Sequence, residues 1–301
     1  MGDARRRKLM ANTTGVAATL PVATLWPLSN QTSQMQLEKW FVDRDIDPSR
    51  PGLHDSAAFL CAERQDPKAM NMVARLVEAR TYSSDYLLAA EKKVLVAADA
   101  VYRRVARDGR PGLCVVASGI LSRILDELGV WNYTAKSNLA IYFPQTVSRE
   151  PRYYYSIDVR RFTAPHAIVV APPFTVADVT VKYQAYDNIT MAQALPDMAM
   201  VKEFRQYRLS LAELISPEVR EALSMQGMSI ERFLERDKPD MLELMKHLPA
   251  REVAFGESRL GYGLVAVGGY QEPLRELHGQ NCSIDGMTPI EIYEHDVLPR
   301  L

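Results

Sequence analysis

The chain of 301 residues predicts an α+β fold. Three observations carry that expectation. Apolar residues recur at three- and four-residue intervals between Gln36 and Leu128, four short β-branched or aromatic runs follow Gly129, and helical spacing returns beyond about residue 195. Strands that succeed one another, rather than alternating with helices, point to an antiparallel sheet with helices laid against it. At 47% hydrophobic and 24% charged residues the chain can bury a substantial core. Its 36 basic and 37 acidic residues leave no global field to draw it to nucleic acid or an anionic membrane.

Taken in order, residues 1–35 lack periodicity and read as an N-terminal arm. Arg5, Arg6, Arg7 and Lys8 precede a stretch that Asn12, Thr13, Thr14 and Pro21 make too polar for an export signal. Residues 36–110 form a helical segment. In "DPKAMNMVARLVEARTY" Asp66 is the expected N-cap and Pro67 the first helical residue, ahead of Met70, Val73, Leu76 and Val77 on one face. The next helix starts at Ser83-Ser84-Asp85 and stops at Gly109 and Pro111. A third helix, "GLCVVASGILSRILDELGV", has a broad apolar face in Leu113, Ala117, Ile120, Leu121, Ile124, Leu125 and Leu128, and Gly129 ends it. Gly119 inside it costs about 1 kcal/mol relative to alanine, which predicts that another backbone passes close by.

Residues 111–190 make the core of the expected fold, and the strands in it are "WNYTAKSNLAIYF", "YYYSIDVRRF", "HAIVVAPPF" and "TVADVTVKY". Residues 144–152 read as a polar loop and Pro172-Pro173 as a turn or bulge. Region 191–301 is expected to be mostly helical, in "SLAELISPEVREALSMQ", "SIERFLERD" and "PDMLELMKHL", with one glycine-bracketed strand in "GYGLVAVGGY" and a closing "TPIEIYEHDVL". It is either a separate domain or a helical cover on the sheet.

Cys61, Cys114 and Cys282 are odd in number and far apart, which argues against a disulfide framework or a structural zinc site and for a reducing, cytoplasmic setting. No apolar run approaches the length of a membrane span. Cys114 opens the third helix, where unpaired N–H groups and the positive end of the macrodipole favour a thiolate and can bind an oxyanion. Nucleophilic thiol chemistry also needs a base and a group that orients the base. His166 opens the strand "HAIVV" and Asp178 lies in the next, "TVADVTV", so the two can meet across an antiparallel pair. A carboxylate in so apolar a strand must reach solvent or a partner. Asp158, beside Arg160 and Arg161, reads as part of a charged strand face. His54, His247, His278 and His295 read as surface or loop residues. Tyr153, Tyr154 and Tyr155 near those arginines read as sheet rather than nucleic-acid platform, and no phosphate-binding glycine motif is present.

Gly112-Leu113-Cys114 with Ala117 and the closing Leu128-Gly129, then His166-Ala167, then Asp178-Val179-Thr180, resemble the nucleophile helix and the histidine and Asp-x-Thr strands of the transglutaminase-like superfamily. The resemblance covers residues 112–181. Ile168 stands where that family often has an aromatic residue, Val179 where it has proline, and no tryptophan precedes Cys114. The resemblance implies a papain-like core and a catalytic set of Cys114 as nucleophile, His166 as general acid/base and Asp178 as its orienting residue. It also implies acyl transfer on a protein or peptide, with a Gln side chain as the leading substrate class and no metal or organic cofactor. A binding or scaffold protein that keeps the fold without the chemistry is the alternative. The Arg-Gly-Gly-Phe-Cys signature of arylamine N-acetyltransferases is absent.

Overall fold

A computed structural model of the chain describes residues 26–159 and 166–301. Most of the expected arm, and Arg160 and Arg161, lie outside the described residues. The first half is helical: α1 (Gln31–Val42), α2 (Ala57–Gln65), α3 (Ala69–Ala79), α4 (Ser84–Asp108) and α5 (Cys114–Glu127). Helix α1 begins five residues before the expected start of the helical segment, capped by the Asn30 side chain, which accepts from the Ser33 N–H at 2.9 Å. Asp66 does not cap α3. It closes α2, its N–H reaching the Ala62 carbonyl, while α3 starts three residues later at Ala69. The long helix α4 behaves as expected, with Ser83 accepting from the Tyr86 N–H and Gly109 taking φ 69° at the stop.

The strands are β1 (Tyr133–Tyr142), β2 (Arg152–Tyr154), β3 (His166–Ala171) and β4 (Phe174–Asp178), followed by α6 (Ile189–Gln193), β5 (Ala199–Val201), β6 (Arg205–Gln206), α7 (Leu211–Leu214), α8 (Pro217–Met225), α9 (Ile230–Asp237), α10 (Pro239–His247), β7 (Arg251–Phe255), β8 (Ser258–Val267) and α11 (Pro289–Ile292). They form one sheet in the order β5-β4-β3-β1-β8-β7-β6, with β2 paired to β1, and every ladder is antiparallel. The fold is therefore α+β, as expected. The tyrosine-rich run departs from expectation. It is a strand only as far as Tyr154, and Asp158 is no strand residue but accepts from the neighbouring Val159 N–H at 2.7 Å.

Region 191–301 is helical between 211 and 247, but it also supplies β5 to β8. Strand β8 runs from Ser258, earlier than the glycine-bracketed run suggests, and lies beside β1 in the middle of the sheet. Region 191–301 is thus neither a separate domain nor only a cover.

Each face of the sheet is buried. Tyr133, Ala135, Leu139, Ile168, Val170 and Leu264 pack with α1 to α3, while Val169, Ala171, Phe174 and Ala177 pack with α4 and α5. Helix α5 is enclosed between α4 and the sheet, its Ala117, Ile120, Leu121, Ile124 and Leu125 fully buried. At about 1.5–3 kcal/mol for each large aliphatic side chain, that face alone fixes the helix in place. Gly119 does mark a close approach, but by a ring rather than a backbone: a Cβ there would sit 2.7 Å from the Tyr270 side chain.

Candidate active site

Helix α5 opens without a side-chain cap. Its N-cap, Leu113, offers no acceptor, and Gly112 before it takes φ 80°. The first-turn N–H groups around Cys114 are therefore left to other partners. The same turn is tied to the head of β3, because Ser118 Oγ donates to the Ala167 carbonyl at 3.0 Å. This bond brings the start of the cysteine helix to the start of the histidine strand.

Strands β3 and β4 are joined by the two-residue turn Pro172-Pro173, with a register irregularity between Val169 and Ala171. Continuing the pairing of Val169 with Ala177 places Asp178 opposite Ile168. His166 lies two residues further along the same face, so the contact is diagonal, a reach that a ring and a carboxylate span. His166 Nε2 and Asp178 Oδ2 are 2.7 Å apart and both residues are fully buried. The other carboxylate oxygen, Oδ1, accepts from the Thr180 N–H at 2.9 Å and the Thr180 hydroxyl at 3.1 Å. The Tyr262 hydroxyl donates to Oδ2 at 3.1 Å.

These contacts set the charges. Burial alone would push the His166 imidazole down, but the Asp178 carboxylate and its hydrogen bond, followed by the Cys114 thiol, outweigh burial and raise it to about 10. Burial alone would likewise raise Asp178. The His166 ring and the Thr180 donors reverse this and hold the carboxyl below its usual range. Burial, then the charge of Asp178, drive the Tyr262 hydroxyl well above its ordinary value, so it stays a donor. Both shifts favour the ion-paired form of the buried His166–Asp178 contact.

Nδ1, the ring nitrogen that Asp178 does not occupy, has no hydrogen-bond partner. Cys114 is the remaining side chain acting on the ring, and it is 3% exposed. Ser137 stands directly opposite His166 in the β1–β3 ladder, and its buried hydroxyl has no partner. Of the three residues singled out in the sequence, His166 and Asp178 are hydrogen-bonded, and the Cys114 thiol acts on the ring without a hydrogen bond to it. Thr180 completes the Asp-x-Thr pattern already noted. Tyr262 and Ser137 were missed. The glycines on either side of Tyr262 carry the available signal, since a Cβ on Gly261 would lie 2.6 Å from the Tyr207 hydroxyl and one on Gly263 2.3 Å from Asn138.

His54 is not a surface or loop residue of the ordinary kind. It is buried, with Nε2 2.7 Å from Arg123 of α5, and Arg123 also donates to Asp126 at 2.9 Å and Asp55 at 2.9 Å. Burial, then the Arg123 charge, lower His54 to about 3, and burial raises Asp126 to about 7. His247, His278 and His295 are exposed, as expected.

Among the described residues no cluster of three or more His, Cys, Asp or Glu side chains is arranged to hold a metal ion, and no helix is long and apolar enough to cross a membrane. Compared with protein-family models, curated proteins and solved structures, the chain matches none.

Proposed function

We propose that the protein is a thiol-dependent acyl-transfer enzyme with a papain/transglutaminase-like core, acting on a protein or peptide, and that Cys114, His166 and Asp178 are its catalytic set. The observation that carries this reading is the buried His166–Asp178 pair at 2.7 Å with Nδ1 left over for the thiol. Asp178 fixes the tautomer and stabilises the imidazolium, which in turn favours a thiolate on Cys114.

The thiolate attacks an acyl carbon, a C–S bond forms, and the carbonyl electron pair moves onto oxygen. Uncapped N–H groups at the start of α5 are suited to receive that oxyanion. As the carbonyl re-forms and the C–N bond breaks, His166 gives its proton to the leaving nitrogen, which departs as an amine, or as ammonia when the donor is a Gln side chain. The thioester then passes its acyl group to water or to a second amine, whose proton returns to His166 as the thiolate departs. Water gives hydrolysis or deamidation, and an amine gives a cross-link. A reducing, cytoplasmic setting suits this chemistry, because the nucleophile must remain unoxidised.

The near enclosure of Cys114 favours a second reading, a binding or scaffold protein that keeps the arrangement as a structural pair. Alkylation of the intact chain, mapped by mass spectrometry, separates the two. The exposed Cys61 serves as an internal reference. Enzyme chemistry requires Cys114 to react below about pH 7 while Cys61 does not, and requires that preference to vanish in His166→Ala. A Cys114 that stays unlabelled in the folded protein, or reacts alike with and without His166, ends the catalytic reading.

A further inference from the structure

A cavity of about 540 Å³ opens between α4 and the last turns of the chain, lined by Tyr102, Arg103, Arg107, His295, Asp296 and Arg300. It contains none of the residues of the candidate active site. Its volume falls in the range of small-molecule sites.

The cavity gathers cations from two directions. Arg103 and Arg107 stand one turn apart on α4, and Arg300 faces them from the closing turn Leu298–Arg300. Their carboxylate partners are shared. Arg103 and Arg300 both contact Asp99 Oδ2, at 3.0 and 2.7 Å. Arg107 lies 3.4 Å from Asp285 Oδ2, the oxygen that Arg104 already holds at 3.1 Å, and Arg104 also grips both oxygens of Asp296. Four guanidinium groups thus meet three carboxylates, Asp99, Asp285 and Asp296, and one positive charge is left over. The neighbouring Asp108 and Arg110 neutralise each other.

A second feature points the same way. Residues Tyr293–Val297 form a π-turn, and it is this widened turn that delivers His295 and Asp296 to the cavity. Such turns are rare in helices and concentrate at functional sites.

We infer that this cavity is a binding site for a small phosphate monoester. A tetrahedral dianion presents three oxygens, one for each of the guanidinium forks of Arg103, Arg107 and Arg300, whereas a carboxylate presents two oxygens and a single charge. Arg103 and Arg107 are more than half exposed, free to turn from their shared carboxylates, and the Tyr102 ring offers an apolar wall for the organic body of the ligand.

Calorimetric titration of the full chain with phenyl phosphate and, separately, with inorganic phosphate tests this, with benzoate at matched ionic strength as the control. Phenyl phosphate binds saturably below about 10 mM and more tightly than inorganic phosphate, and benzoate binds at least about tenfold more weakly. The double variant Arg103→Gln/Arg107→Gln loses at least about tenfold in affinity while its unfolding midpoint shows that it remains folded. Cys114→Ser binds as the parent does, which separates this site from the thiol. Equal binding of benzoate, no saturable binding of either phosphate, or affinity unchanged in the double variant overturns the inference.

Discussion

Replacing Asp178 with Asn removes the charge that defines the candidate site and leaves its shape. In the parent, His166 stands at about 10 against an ordinary 6.5, although burial works to lower it. At 1.36 kcal/mol per pH unit that interval is roughly 4–5 kcal/mol of preference for the imidazolium, most of it supplied by Asp178. The variant loses this term and keeps the burial, so the ring becomes neutral and titrates at or below about 6.5. Ring NMR is the assay, because it needs no access to the enclosed thiol. The chain has five histidines, and His166→Gln assigns the signal. A raised folded value means stability that is complete below about 6.5 and is lost as pH rises toward about 10. The depressed Asp178 contributes stability that is present above 3.8 and lost as pH falls through its folded value. The variant therefore loses both the acid limb that belongs to Asp178 and the alkaline limb that belongs to His166. A parent His166 that titrates near 6.5, or a midpoint that Asp178→Asn moves by less than about one pH unit, refutes the reasoning.

Two further perturbations probe how α5 is held. Gly119→Ala, which in an open helix would gain about 1 kcal/mol, instead destabilises by about 1–3 kcal/mol because its Cβ meets the Tyr270 ring, and Tyr270→Ala relieves most of that loss; urea midpoints measure both, and a stabilising Gly119→Ala would show that the ring yields freely. Asp126, raised to about 7 by burial, gives stability that is lost as pH climbs from about 4 to 7, while His54, lowered to about 3, gives stability that is lost as pH falls from about 6.5. Their slopes oppose one another between about pH 4 and 6.5, so Asp126→Asn turns a flat stability profile into one that rises with pH, and an unchanged slope removes Asp126 from the account.

The residues readable in advance are those whose neighbours are local. The apolar face of α5 and its Gly129 stop announce a buried helix, and His166 and Asp178 sit on consecutive strands joined by a short turn, so their meeting follows from hairpin geometry. Thr180 is two residues from the carboxylate it serves. What escaped depends on distant segments. Nothing near His54 tells that Arg123, 69 residues away, will bury beside it. Strand β7 hides because "REVAF" opens on a charge, yet Arg251 is wholly buried, paired with Glu78 in a short contact and donating to the Thr175 carbonyl. The β7–β8 hairpin did leave a local mark. Phe255 pairs with Ser258 around Gly256-Glu257, and Gly256 takes φ 56° as a tight hairpin turn demands.

The stretch that carries the family resemblance, residues 112–181, cannot build the site alone. Strand β1 has β3 on one side and β8 on the other, so the sheet that seats His166 is completed only when residues 258–267 insert beside it. That strand also brings the Tyr262 hydroxyl to the very oxygen that holds His166. On the opposite face, Tyr270, three residues past the end of β8, closes over Gly119 of the helix that begins at Cys114. One C-terminal segment thus touches both the Asp178 carboxylate and the helix that begins at Cys114. A fragment ending at residue 190 would lack that segment, leave the inner edge of β1 unpaired, and deprive Asp178 of one of its donors. The ring and carboxylate meet where strands from both halves of the chain close one sheet.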